Sequence, residues 1–173
     1  MNKVILYIAT SLDGFIADQG GGVDWLPHPD DPEDTLGFKA LIDRISIILM
    51  GSRSYRQILG FGEWAWPDKQ TYVFTRQTLL AACPNVFFTQ DAPKSFMENM
   101  RRQQIKGDIW LLGGAQLAQS FATEGLIDEC IITEIPMKLG KGIELGISLD
   151  GFVLSTGKPC GGGIMQKKYF RVG

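Results

Sequence analysis

Asp108-Ile-Trp-Leu-Leu-Gly113-Gly114-Ala115-Gln116-Leu-Ala-Gln-Ser-Phe121 is the stretch on which the fold turns. Ile109 to Leu112 is an unbroken apolar run, as expected of a strand covered on both faces. It meets a glycine pair, after which Leu117 and Phe121 stand four residues apart, the spacing of one helix face. The stretch reads as buried strand, tight turn, helix. Two glycines at such a junction let a phosphate come close to the backbone. The helix start then offers unpaired N–H groups and the positive end of the macrodipole. The same pair also suits a plain turn that needs positive φ or close packing, so taken alone it leaves both readings open.

Outward from this stretch, the same grammar repeats. Ile45 to Met50 is a second continuous apolar run, followed by Gly51-Ser52-Arg53-Ser54 and then by Tyr55 and Ile58 at helical spacing. A cation in a first helical turn opposes the dipole, so Arg53 either answers an anionic ligand or is simply exposed at small cost. Lys3 to Ala9 reads as a buried first strand, Thr71 to Thr75 as another that runs straight into Arg76, and Asn85 to Thr89 as a short fourth. Pro93 to Arg102 is an amphipathic helix, and Leu126 to Ile135 a strand rich in β-branched residues. Leu149 to Leu154 and Ile164 to Val172 have only a Gly/Pro-rich turn between them, which predicts antiparallel pairing. Strands alternating with helices, then strands alone, predict an α/β fold of three layers. Its sheet is mainly parallel, with an antiparallel C-terminal edge. No repeat or linker divides residues 1–173, which read as one domain. Ligands of such sheets gather at the carboxyl ends of the strands. Ala9, Arg53, Arg76 and the Gly113-Gly114 pair all fall at such ends.

The intervening loops carry further candidates. Gly20-Gly21-Gly22, closed by Val23-Asp24-Trp25, is either a lid over a site or a surface excursion. Asp34 or Thr35 is placed to cap a helix running to about Asp43. Phe61, Trp64, Trp66 and Pro67 form a substrate wall or a packed loop, and Lys138 and Lys141 are loop cations that face an anion or only solvent. The chain has 173 residues, is 45% hydrophobic and carries a net charge of −2, so nucleic acid and anionic membranes are poor partners. Three widely spaced cysteines give no disulfide framework, and a single histidine argues against a metal centre; no metal is expected. Val4 to Ala9 is too short to span a bilayer, and a reduced cytoplasmic setting is the simplest expectation.

Taken together, Ser11 to Ala17, Val23 to Trp25, Ile48 to Tyr55, Val73 to Arg76, Ile109 to Gln116 and Leu126 to Thr133 resemble the dihydrofolate reductase superfamily. The branch they resemble most is the reductase domain of the bifunctional riboflavin-biosynthesis deaminase-reductase. The resemblance implies an NADPH-dependent reductase of a pyrimidine- or pterin-like substrate. Ala9 and Ile16 would flank the nicotinamide, and Gly51, Arg53 and Ser54 would meet the pyrophosphate and adenosine side. Thr75 and Arg76 would meet the 2′-phosphate. Gly113, Gly114, Ala115, Gln116 and Leu117 would cradle the diphosphate, with a cis bond between the glycines. Asp34 matches the catalytic carboxylate, and Trp25 and Thr133 match substrate-pocket positions. Lys141, with Lys69, is a candidate for a sugar phosphate. Two departures matter. Ser52 stands where the family's arginine is usual, which leaves the preference for NADPH over NADH to Arg76. Lys69 follows Pro67-Asp68 where folate-reducing members have an arginine, and a lysine lacks the bidentate fork. Dihydrofolate reduction is the alternative activity, and a non-catalytic nucleotide-binding module the alternative of another class. Related reductases are often homodimers, and the C-terminal edge strands are placed to pair across a two-fold.

Overall fold

The apolar runs become strands because they have no polar face to offer water. In chain order the elements are β1 (Val4–Ser11), β2 (Phe15–Ala17), α1 (Phe38–Arg44), β3 (Ile45–Gly51), α2 (Ser52–Leu59), β4 (Gln70–Phe74) and β5 (Val86–Thr89). There follow α3 (Pro93–Arg102), β6 (Asp108–Gly113), α4 (Ala115–Thr123), β7 (Glu129–Ile135), β8 (Ile143–Glu144), β9 (Phe152–Pro159) and β10 (Met165–Arg171). These come from a computed structural model that describes residues 2–27 and 33–173. Eight strands form one sheet in the order β5-β4-β3-β6-β1-β7-β10-β9. The first six are parallel, and β10 runs antiparallel to both β7 and β9. The expected α/β architecture, a mainly parallel sheet with an antiparallel edge, is the one found.

Side chains alternate across the sheet and divide the core in two. Val4, Leu6, Ile47, Leu49, Ile109 and Leu111 face α3 and α4, where Phe96, Met97, Met100 and Phe121 are buried. Ile5, Ile48, Met50, Trp110 and Ile131 face Leu41 of α1 and Tyr55 of α2. Among the described residues no helix is long and apolar enough to cross a membrane.

The structure differs from expectation in three places. The first helix begins at Phe38, because Gly37 before it sits at φ 69°, outside the helical region. Asp34 still serves that helix from a distance: its Oδ1 accepts from the Lys39 amide at 2.8 Å and its Oδ2 from the Ala40 amide at 3.1 Å. β9 continues through Gly157 to Pro159, as an edge strand can, because its outer side has no ladder to maintain. β2 and β8 pair as a small separate sheet. Their three and two residues are too few to carry a periodic signal.

Candidate functional site: a glycine rim and an adjoining pocket

The register brings the carboxyl ends of the central strands into one rim. Met50 pairs with Gly113, and Gly51 with Phe74, the residue before Thr75 and Arg76. Gly51 and Gly114 are the N-cap residues of α2 and α4, and among the described residues no side chain caps either helix. The two caps adjoin: a Cβ built on Gly51 would lie 4.0 Å from the Gly114 nitrogen, and one built on Gly114 would lie 3.4 Å from the Ser54 hydroxyl. Gly113 has φ 123°, where a side chain is strained, and its bond to Gly114 is cis, as the resemblance implied. The first α4 ladder bond runs from Ala118 N to Gly114 O at 3.0 Å, so the amides of Ala115, Gln116 and Leu117 have no acceptor within the helix. Two positive helix ends therefore converge on one spot. Arg53 and Arg76 stand exposed beside it, and among the described residues neither has a carboxylate partner. Thr75 turns the chain out of the sheet, its amide bonded to Thr89 O and its hydroxyl accepting from the Gln77 amide.

The glycine loop lies between α2 and the loop before β8. Asp18 ties it internally, accepting from the Gly20 and Gly22 amides at 2.8 Å each. Gln57 of α2 donates to Gly21 O at 2.7 Å. On the other side Asp13 accepts from Leu139 N at 3.1 Å and Gly140 N at 2.8 Å, and from the Ser11 hydroxyl. That hydroxyl, with the two amides, holds the Asp13 carboxyl at about 2. An open groove of about 700 Å³ lies between Asp18, Gln19 and Gly20 and the facing Leu139, Gly140 and Lys141. Ile16 packs on the α3/α4 side of the core.

A second cluster lies on the α1 face, where Ala9 pairs with Thr133 and Thr133 with Gln166. The Gln166 amide nitrogen donates to Thr133 Oγ1 at 3.0 Å and to Leu36 O at 2.9 Å, and Tyr7 Oη bonds the same carbonyl at 3.1 Å. Phe38, at the start of α1, stacks edgewise on Trp110 at 5.5 Å and remains 38% exposed, enough to meet a ligand ring. Among the described residues the buried indole nitrogen of Trp25 has no hydrogen-bond partner, which leaves a donor on the substrate side. Lys69 and Lys141 do not come together. Lys69 precedes β4 at its amino end, roughly 15 Å of strand from the rim, and pairs with Asp68 at 3.4 Å. Trp64 and Trp66 pack into the α1/α2 side of the core, while Phe61 stays 70% exposed, so the aromatic loop is packed at its tryptophans and open at Phe61.

A family model for the RibD C-terminal domain matches residues 2–156. The chain belongs to the RibD C-terminal domain family. Uncharacterized protein YwjB of Bacillus subtilis (strain 168) is 35% identical over 144 residues, 83% of this chain and 82% of its own. A crystal structure from Shewanella sp. PV-4, of a protein named for riboflavin biosynthesis, has a TM-score of 0.82 at 28% identity and covers 99% of both chains. Dihydrofolate reductase from Enterococcus faecalis, solved with NADP(H), gives a TM-score of 0.70 over 99% of this chain and 97% of its own. At 15% identity that last likeness is one of fold, and the fold is dihydrofolate reductase-like.

The RibD C-terminal match ends before Gln166 and before Lys158, which pairs with Gln166 from β9 and donates from Nζ to Thr35 O at 3.0 Å; sequence reasoning missed both. Both lie in the edge hairpin, where alternating polar residues look like ordinary solvent-facing strand positions. Only the register, which sets Gln166 against Thr133, reveals them.

Proposed function

We propose that this RibD C-terminal domain protein is an NADPH-dependent reductase of a pyrimidine-like substrate, the best candidate being 5-amino-6-(5-phosphoribosylamino)uracil. One observation carries the reading: two helix N-termini without side-chain caps, each with glycine at the cap, adjoin at the sheet rim. Such a junction suits a diphosphate bridging two nucleosides. Gly51, Arg53 and Ser54 would hold one side and Gly113 to Leu117 the other, while Thr75 and Arg76 receive the 2′-phosphate. Ala9 and Ile16 would border the nicotinamide, which when bound supplies a hydride to the sugar C1′ of the substrate. The protein's own work is to hold two rings face to face and keep water out. Trp25, Thr133 and Asp34 would line the substrate side. Asp34 fixes the start of α1 and is the candidate to bond the ring or relay a proton through water. The exposed outer edge of β9 supports a homodimer formed across that edge.

The test is NADPH oxidation with the pyrimidine intermediate and with dihydrofolate, side by side. Turnover of the first alone is expected. Turnover of dihydrofolate alone would replace the substrate, and tight NADPH binding with no oxidation of either would leave a nucleotide-binding module. Arg76→Ala is expected to erase the preference for NADPH over NADH. Unchanged turnover in Asp34→Ala would end the catalytic role of Asp34.

A further inference from the structure

We infer that the substrate's ring and its anionic tail are read by one polar rung crossing the C-terminal strands, made of Thr133, Gln166 and Lys158. This rests on the pyrimidine reading above and names what recognises that substrate.

The rung is set by register. Ala9 on β1 pairs with Thr133 on β7, Thr133 with Gln166 on β10, and Gln166 with Lys158 on β9. Residues directly paired in a sheet project to the same face. Here that face is the one covered by α1 and the segment before it, since Gln166 bonds Leu36 O and Lys158 Nζ bonds Thr35 O at 3.0 Å. With neighbouring strands about 4.8 Å apart, three steps carry the row about 14 Å from Ala9 to the sheet edge.

Hydrogen-bond bookkeeping gives each member a role. The Gln166 atom facing Leu36 O must be the amide nitrogen, because a carbonyl only accepts. Its two hydrogens are spent on Leu36 O and Thr133 Oγ1, which leaves Oε1 as an acceptor. Thr133 Oγ1 accepts that bond, and among the described residues its own hydrogen has no acceptor and is left to donate. An acceptor beside a donor complements a lactam edge, a ring N–H next to a C=O, as uracils present. Lys158 is exposed, gives one of its three N–H bonds to Thr35 O, and among the described residues pairs with no carboxylate. It stands at the outer end of the row, where a phosphate tail would arrive. This displaces Lys69 and Lys141 as phosphate ligands: one lies at the far end of β4, the other beside the glycine loop.

The probes are uridine and uridine 5′-monophosphate, titrated calorimetrically into the full chain saturated with NADP+. The wild-type protein is expected to bind the monophosphate about tenfold tighter or more, as fits a charge-assisted contact. Lys158→Ala should abolish that preference and leave uridine affinity unchanged, Lys158→Arg should restore it, and Lys141→Ala should not touch it. Gln166→Leu should weaken both ligands about tenfold. Thr133→Val, close to isosteric, should do the same and covers the case in which Gln166→Leu misfolds. A phosphate preference that survives Lys158→Ala, or vanishes in Lys141→Ala, overturns the rung while leaving the pyrimidine reading in place. So does uridine affinity indifferent to both Gln166 and Thr133. A wild-type protein that binds NADP+ but neither uracil ligand removes the pyrimidine reading and the rung together.

Discussion

Gly51 is the single residue that argues most directly for a phosphate at the rim. Its φ of −83° and ψ of 165° suit any residue, and a methyl there would find only the Gly114 nitrogen, 4.0 Å away. Neither conformation nor packing asks for glycine, whereas close approach of a phosphate to the rim does. Gly51→Ala is therefore expected to melt within about 2 °C of wild type, as substitutions away from strain and core do, and to lose NADPH affinity at least about tenfold. Equal affinity by fluorescence titration would remove the diphosphate from this spot. Asp13 makes a different statement. Ser11 and the amides of Gly140 and Leu139 lower its carboxyl from 3.8 to about 2. A folded value below the unfolded one means the clasp contributes its stability above about pH 4 and loses it as pH falls through about 2. At neutral pH, Asp13→Ala should speed hydrogen exchange at the Leu139 and Gly140 amides without altering exchange in β3 or β6. Unchanged exchange at those two amides would show that the loop is held by something else.

At the scale of elements, α1 is pinned at both ends by charge. Asp34 holds its first amides, and Arg44 at its last residue reaches Asp108 at 3.0 Å and Glu129 at 3.1 Å, two residues at the amino ends of β6 and β7. Glu129 is 1% exposed, and its other partner is Lys168 at 3.4 Å. Removing one partner of a buried pair costs about 3–5 kcal/mol when the remaining charge is stranded. Because Lys168 stays, Arg44→Ala should cost about 2–3 kcal/mol, read as a lower urea midpoint at unchanged m-value. A midpoint equal to wild type would mean that Lys168 alone satisfies the carboxylate. Elements of this kind were unevenly legible. The continuous runs of β1, β3 and β6 and the periodic face of α3 declared themselves, because burial on both faces or on one stripe leaves a direct mark on composition. The start of α1 did not: Asp34 caps through space across Gly37, and a spacing rule expects the capping residue beside the helix. The partners of Thr133 were hidden for a related reason, since a strand's neighbour is fixed by topology rather than by proximity in sequence.

At the scale of the whole molecule, the sheet leaves one long unguarded edge. β9 is almost wholly exposed, with Val153 at 57% and Leu154 at 52%, and only its far end carries the lysine and proline that discourage pairing. Two copies joined along β9 would extend the sheet through an isologous two-fold contact, which closes and stops at two. The expected mass by light scattering is therefore twice the 19.1 kDa of one chain. Val153 pairs with Phe170, and Phe170 with Glu129 at the start of β7, so this part of the edge lies at the opposite end of the sheet from the glycine rim. Replacing Val153 and Leu154 with lysine should then give a monomer whose NADPH affinity is that of wild type. A wild-type monomer would remove the dimer. A dimer that survives the two lysines would move the interface to another face. A monomeric variant that loses the cofactor would mean that the rim depends on the partner copy, a dependence that nothing in the geometry of Gly51, Gly114 and Arg76 requires.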